Sequence, residues 1–150
     1  KHDCLSHESL GPLTRLERRA SETTLAELLE IIRGDLGPEA VVEFGRDIVH
    51  GLECVPCGTF QPMFRQLLRV TEREAACPNC GLIRNPKLLH SFTGAQEFSD
   101  MTLTEFGLPA FDVVTGRKGM EERPYLLAAD APFVLGPAWE PDDLDRRNRP

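Results

Sequence analysis

Four cysteines stand in two short pairs, Cys54-Val55-Pro56-Cys57-Gly58 and Cys77-Pro78-Asn79-Cys80-Gly81, and no other feature of the chain restricts its fold so strongly. Each pair sets two thiols at the tip of a tight turn, and the glycine that follows is free to take the left-handed backbone that aims amide N–H groups at sulfur. Nineteen residues separate the pairs, an interval suited to a ribbon-type site. The spacing predicts one zinc ion held by Cys54, Cys57, Cys77 and Cys80. With all four positions filled by protein, such a site is structural and has no open position for an activated water. Iron is an alternative occupant of the same geometry. Two disulfides and a thioredoxin-like redox pair compete with the metal reading. The first leaves one of the five cysteines over, and the second expects a single C-x-x-C at a helix start. An iron–sulfur cluster also takes four thiolates, but usually from cysteines grouped differently.

A chain of 150 residues, 41% of them hydrophobic, can bury one ordinary core or two small lobes. It begins at Lys1 with no initiator Met, so it reads as part of a longer product. No run of about eighteen apolar residues is present, and the amino terminus lacks a signal peptide's succession of basic, apolar and small residues. A soluble, cytoplasmic protein with no membrane contact is expected. Net charge is -7, with Lys and Arg scattered. Between Gly51 and His90 the balance is mildly positive, Arg65, Arg69, Arg73, Arg84 and Lys87 against Glu53, Glu72 and Glu74. That is a poor surface for neutralising phosphates, so nucleic acid is not expected as a partner.

The fold class expected is α+β, a zinc ribbon with an amino-terminal helix and a carboxyl-terminal β-hairpin. Residues 1–20 read as a connecting segment, 21–130 as the zinc-ribbon domain with its ribbon core at 51–90, and 131–150 as a polar tail. Thr24 and Glu27 have capping-box spacing, Leu25, Leu28, Leu29 and Ile32 recur at helical intervals, and Gly34 is the expected stop. Val41, Val42, Phe44, Ile48, Val49 and Leu52, broken by Gly45-Arg46-Asp47, predict two short strands around a turn. Between the cysteine pairs, Phe60, Met63, Phe64, Leu67, Leu68 and Val70 need burial and fit either a hairpin strand or a helical turn. Leu82, Ile83, Leu88, Leu89 and Phe92 suggest a returning strand interrupted at Asn85-Pro86. Thr102 and Glu105 repeat the capping-box spacing before Gly107 and Pro109. Phe111–Thr115 and Pro124–Ala128 then read as strands around Gly116-Arg117-Lys118-Gly119.

Other candidate groups are weaker. His2, Cys4 and His7 place three potential ligands within six residues but offer no fourth partner, and a nucleophilic Cys4 would need a positioned base and a defined pocket that the sequence does not supply. His50 and His90 flank the ribbon and read as strand residues satisfied locally. Asp142, Asp143 and Asp145 lie in the polar tail. The chain contains no dinucleotide fingerprint, P-loop, H-E-x-x-H or G-x-S-x-G, so no active site is recognisable in it.

The succession of Thr24-Leu25-Ala26-Glu27-Leu28-Leu29, the strand into Leu52-Glu53-Cys54-Val55-Pro56-Cys57-Gly58, the phrase from Leu68 to Gly81, and Met101-Thr102-Leu103-Thr104-Glu105-Phe106-Gly107-Leu108-Pro109 resembles the region that follows the nucleotide-binding domain in some bacterial ThiF-family adenylyltransferases, relatives of ubiquitin-activating enzymes. The resemblance spans about Ser21 to Asp130, and its one sharply specific motif is the cysteine quartet. It implies a parent that adenylates the carboxyl terminus of a ubiquitin-like or sulfur-carrier protein with ATP and magnesium. That family's glycine-rich phosphate loop has no counterpart here, so only the zinc ligands carry over. The resemblance implies an accessory module that packs against a nucleotide-binding domain or recruits a ubiquitin-like protein. A stand-alone zinc-ribbon adaptor and an enzyme whose site forms only in a dimer are the other two readings.

Overall fold

The computed structural model describes residues 12–128. Six strands and three short helices follow one another as β1 (Thr14–Arg19), α1 (Leu25–Leu36), β2 (Val41–Cys54), β3 (Thr59–Gln66), α2 (Glu72–Ala75), β4 (Asn85–Phe92), α3 (Leu103–Phe106), β5 (Val113–Lys118) and β6 (Glu121–Ala128). The protein is therefore mixed α and β, with all six strands in one sheet. No helix among the described residues is long and apolar enough to cross a membrane.

Helix α1 starts where its capping box places it. The Thr24 hydroxyl oxygen accepts from the Glu27 N–H at 3.2 Å, and the Glu27 carboxylate accepts from the Thr24 N–H at 2.9 Å. Its buried face carries Leu25, Leu28, Leu29, Ile32 and Leu36. Gly34 does not end the helix. The stop is Gly37, at φ 120°, whose N–H donates to the Arg33 carbonyl. A glycine inside a helix costs about 1 kcal/mol, less than the roughly 2 kcal/mol gained by burying Leu36 in the next turn.

Strand β2 is the second departure from the sequence expectation. Gly45-Arg46-Asp47 does not reverse the chain, and β2 runs unbroken for 14 residues. Val42 pairs with both Phe92 of β4 and Gly116 of β5, while Ile48 pairs with both Leu89 of β4 and Gln66 of β3. Strand β4 thus follows one edge of β2 along both halves, and β5 and β3 share the other edge end to end. The 45–47 stretch is taken up as an irregularity between Glu43 and Ile48 in the β4 pairing. Arg46 is pinned there by a forked contact to Asp112, at 3.1 and 3.3 Å.

The ambiguous segment between the cysteine pairs is strand first and helical afterwards: β3, a single 3-10 turn at Leu67–Arg69, then α2. Strand β4 begins at Asn85, with Pro86 inside it, a position a strand edge tolerates because proline lacks only a donor. Thr14–Arg19, within the stretch read as a connecting segment, forms β1 and pairs in parallel with β6. Its Leu16 packs against the core, and Arg15, Glu17, Arg18 and Arg19 supply the charges that keep a strand edge from pairing further. The carboxyl-terminal hairpin turns at Gly119-Met120 rather than across Gly116–Gly119. Gly116 serves packing instead: a Cβ there would lie 2.7 Å from Ile32 Cγ2, so its absence lets α1 lie close on β5. His2, Cys4, His7, Asp142, Asp143 and Asp145 lie outside the described residues.

The core joins the α1 face to Val42, Phe44 and Ile48 of β2, Phe92, Leu103, Phe106, Val114, Tyr125 and Leu127. Tyr125 is fully buried and donates its hydroxyl to Asp35 at 2.9 Å. Burial, then the hydrogen bond to the Asp35 carboxylate, push its phenol up to about 12. The folded state therefore holds this proton more tightly, and the stability it contributes is present below the ordinary value of 10 and lost as pH rises from there to 12. Since the chain has one tyrosine, tyrosinate absorbance in an alkaline titration should show a midpoint near 12. A midpoint at the ordinary value would contradict the burial of this ring.

Candidate metal centre

Both cysteine turns are built by short-range geometry. The first closes the β2–β3 hairpin, with Cys54 paired to Thr59 and Gly58 at φ 65°. The second is a miniature hairpin of its own: Ala76 bridges Ile83, the Cys77 N–H donates to the Leu82 carbonyl at 2.8 Å, the Gly81 N–H donates to the Cys77 carbonyl at 2.8 Å, and Gly81 has φ 76°. Only glycine enters this left-handed region without a steric penalty, so both glycines do what their position after each C-x-x-C predicts.

The two turns meet. Sulfur atoms of Cys54, Cys57, Cys77 and Cys80 all lie within 4.8 Å of one another. Two contacts cross between the turns, Cys54 Sγ to Cys80 Sγ at 3.5 Å and Cys77 Sγ to Cys57 Sγ at 3.9 Å. A disulfide requires about 2.05 Å, and all four are free thiols. Four sulfurs around a tetrahedral zinc at about 2.3 Å are separated by about 3.8 Å, so the two cross-turn contacts already have the edge length of that tetrahedron. The donor set fits a thiophilic divalent cation. Among the described residues no other group of three or more His, Cys, Asp or Glu ligand atoms gathers in this way. Cys54 and Cys77 are buried, Cys57 is half-buried and Cys80 is exposed.

The surroundings treat the thiols unequally. At Cys77 the main-chain amides of Cys80 and Asn79 outweigh burial, and the group is brought down to about 6. At Cys54 the Cys57 amide favours the thiolate, but burial and the neighbouring thiols overcome it and push the group up to about 12. Four thiolates this close repel one another unless a cation compensates them, which is the usual coupling between metal binding and proton release. Asn79 adds a contact across the turns, its side-chain amide donating to Cys57 Sγ at 3.2 Å.

The two histidines that flank the site stay out of it. The His50 ring packs on Phe60 with centroids 5.6 Å apart, and His90 Nδ1 lies 3.4 Å from Asp47 on the surface. The residue that sequence reading misplaced is Arg84. Counted there as one surface cation of five, it is in fact buried, and its guanidinium binds Gln61 and the carbonyls of Glu74 and Ala75. Its place one residue before a strand, next to exposed Leu82 and Ile83, gave no sign of burial.

Compared with protein-family models, with curated proteins and with solved structures, the chain gives no match.

A Cβ on Gly81 would meet nothing within 4 Å, so the only cost of alanine there is the left-handed backbone. Gly81→Ala should lower stability by about 1 kcal/mol and leave the thiol count unchanged. A loss several times larger in thermal melting would mean that the turn is shaped by packing rather than by backbone conformation.

Proposed function

We propose that the four thiolates hold one zinc ion as a closed structural site, and that the segment from Gly51 to His90 is a zinc ribbon whose role is to bind or scaffold rather than to catalyse. The observation that carries this is the gathering of both C-x-x-C turns into one group of sulfurs spaced as tetrahedral edges. Bound there, zinc supplies cross-linking free energy; with four protein ligands no coordination position remains for a reacting water. The chain's own residues do the positioning: Gly58 and Gly81 shape the turns, amides around Cys77 favour its thiolate, and Asn79 contacts Cys57.

A binding role is supported by what the ribbon leaves uncovered. Val55 in the first turn and Leu82 and Ile83 beside the second are more than half exposed. Next to them a groove of about 410 Å³ is lined by Leu52, Leu67, Val70, Ile83 and Pro86. Of the five cations in this stretch, Arg84 is buried, Arg65 contacts Glu74 and Lys87 contacts Glu53, which favours a protein partner over a phosphate backbone. The context we favour remains that of a ThiF-like enzyme activating a ubiquitin-like or sulfur-carrier protein, on the strength of the residues quoted for that resemblance. The alternative is an adaptor unconnected with adenylation.

Native mass spectrometry should find one zinc per chain, released by a chelator; a folded chain purified without metal that fails to take up zinc would overturn the structural role. Cys77→Ser should unfold at least the segment from Gly51 to His90, since structural zinc contributes about 10 kcal/mol or more in small metal-dependent modules; unchanged thermal stability would contradict this. The coding sequence upstream of Lys1 separates the two contexts. A strand leading into a glycine-rich turn is expected there, and an upstream sequence without one removes the activating-enzyme reading while leaving the zinc site intact.

A further inference from the structure

We propose that Arg84 is a positioning residue for the metal site, a latch that holds the two cysteine turns in register. The inference rests on the zinc reading and deepens it. Arg84 is 6% exposed, and among the described residues it is the only charged side chain in the buried class. Its guanidinium divides over three acceptors: Nη2 donates to the Glu74 carbonyl at 2.6 Å, Nε to the Ala75 carbonyl at 3.3 Å, and Nη1 to Gln61 Oε1 at 2.6 Å. Its own N–H also donates to the Ala75 carbonyl, at 2.9 Å.

The places of those partners give the contact its meaning. Glu74 and Ala75 end α2 immediately before the second turn, Arg84 follows that turn, and Gln61 lies on β3, which leaves the first turn. One side chain therefore clamps the entry and exit of the second turn together and fastens both to the strand behind the first. Main-chain pairing does not do this. The second turn is closed on itself by Ala76 and Ile83, and its pairing to the sheet resumes only at Asn85. Apart from contacts at the sulfurs, two side-chain contacts span the turns, Arg84 to Gln61 and Arg65 of β3 to Glu74 of α2, and only the first is made by a buried cation.

Two physical consequences follow. Removing the guanidinium takes the donor from the half-buried Glu74 carbonyl at the carboxyl end of α2, while the Ala75 carbonyl keeps only the Arg84 N–H, and a shielded acceptor left unmade is costly. Lysine keeps the charge but is a point donor on a flexible stem, so it cannot reproduce a fixed fork over three divergent acceptors. Since metal–ligand distances must be held to within a few tenths of an ångström, a second turn tied to β3 only through the more exposed Arg65–Glu74 pair presents Cys77 and Cys80 less well to Cys54 and Cys57. Side chains that orient ligands from behind typically govern metal affinity by about 10–100-fold.

The test uses the whole chain loaded with zinc, and with cobalt(II) as a spectroscopic probe. Arg84→Lys and Arg84→Met are expected to lose zinc to a chromophoric chelator at least about tenfold faster than the unaltered chain, and cobalt(II) bound at saturation should show shifted ligand-field bands. Gln61→Ala removes only the arm that reaches β3 and leaves the α2 carbonyls satisfied. It should speed release by about threefold or more with little change in melting temperature, a combination that a purely structural role for Arg84 would not produce. Release from Gln61→Ala within about twofold of the unaltered chain overturns the latch, whatever the Arg84 variants do. An unaltered chain that takes up neither zinc nor cobalt overturns the zinc reading instead, so the two failures are distinguishable.

Discussion

Pairing along both edges of β2 determines where everything else can lie. The amino-terminal half of this strand is held by β5 and β4, the carboxyl-terminal half by β3 and β4. Its side chains serve two purposes in succession: Val42, Phe44 and Ile48 enter the core under α1, and six residues after Ile48 the strand delivers Cys54. At about 3.3 Å per residue, core and thiol are separated by about 20 Å along one strand. The apolar core and the thiol cluster are thus different places joined by a single continuous element, and the register of β2 against its neighbours fixes the distance between them.

That separation explains why the far end needs more than apolar burial. The core contains the α1 stripe and a set of tilted aromatic contacts, Phe44 with Phe106 at 4.8 Å and Phe64 with Phe98 at 5.1 Å between ring centroids. Around the thiols, by contrast, Val55, Leu82 and Ile83 point largely to solvent. What remains to hold the second turn is polar: main-chain bonds within it, the Asn79 contact to Cys57, the Arg65–Glu74 pair and the buried guanidinium of Arg84. Polar contacts of this kind contribute about 1 kcal/mol each in water. A metal cross-link is the strongest single interaction these residues are equipped to make, and the opposite displacements of Cys54 and Cys77 follow from main-chain amides at Cys77 and from burial and neighbouring thiols at Cys54.

Local signals in the sequence were legible because the chemistry that sets them is local. The Thr24/Glu27 and Thr102/Glu105 capping boxes start helices as their spacing requires, and the cysteine turns form at their glycines. A third capping box, Thr71 with Glu74, went unread because α2 is only four residues long and buries none of them, so no periodicity drew attention to it. The misreadings all concern residues whose role is decided by a distant partner. Gly34 looks like a stop until Leu36 finds the core; Gly45-Arg46-Asp47 looks like a turn until Asp112 takes the Arg46 fork; Gly116 looks like a loop residue until Ile32 and Leu36 lie against it. Arg84 belongs with these, since burial of a cation depends on acceptors from α2 and β3 that no spacing rule connects to it.

The end-to-end meeting of β5 and β3 on one edge of β2 also divides the sheet mechanically. Between Phe44 and Ile48 that edge has no ladder partner, and the β4 pairing is irregular over the same stretch. Across this line the two halves share β2 and β4, together with the contacts of Phe64 and Gln66 of β3 to Phe98, Phe106 and Gly107. The half holding α1, β1, β5 and β6 contains most of the apolar core, whereas the half holding β3, α2 and the thiols depends on cross-links. Cooperative units in proteins follow such boundaries, because opening one side leaves few contacts broken on the other. Stability at the thiols and stability in the core are therefore set by different chemistry, one by how four crowded sulfurs are compensated, the other by area removed from water, and β2, β4 and the contacts of β3 with the α3 region are the routes by which either can influence the other.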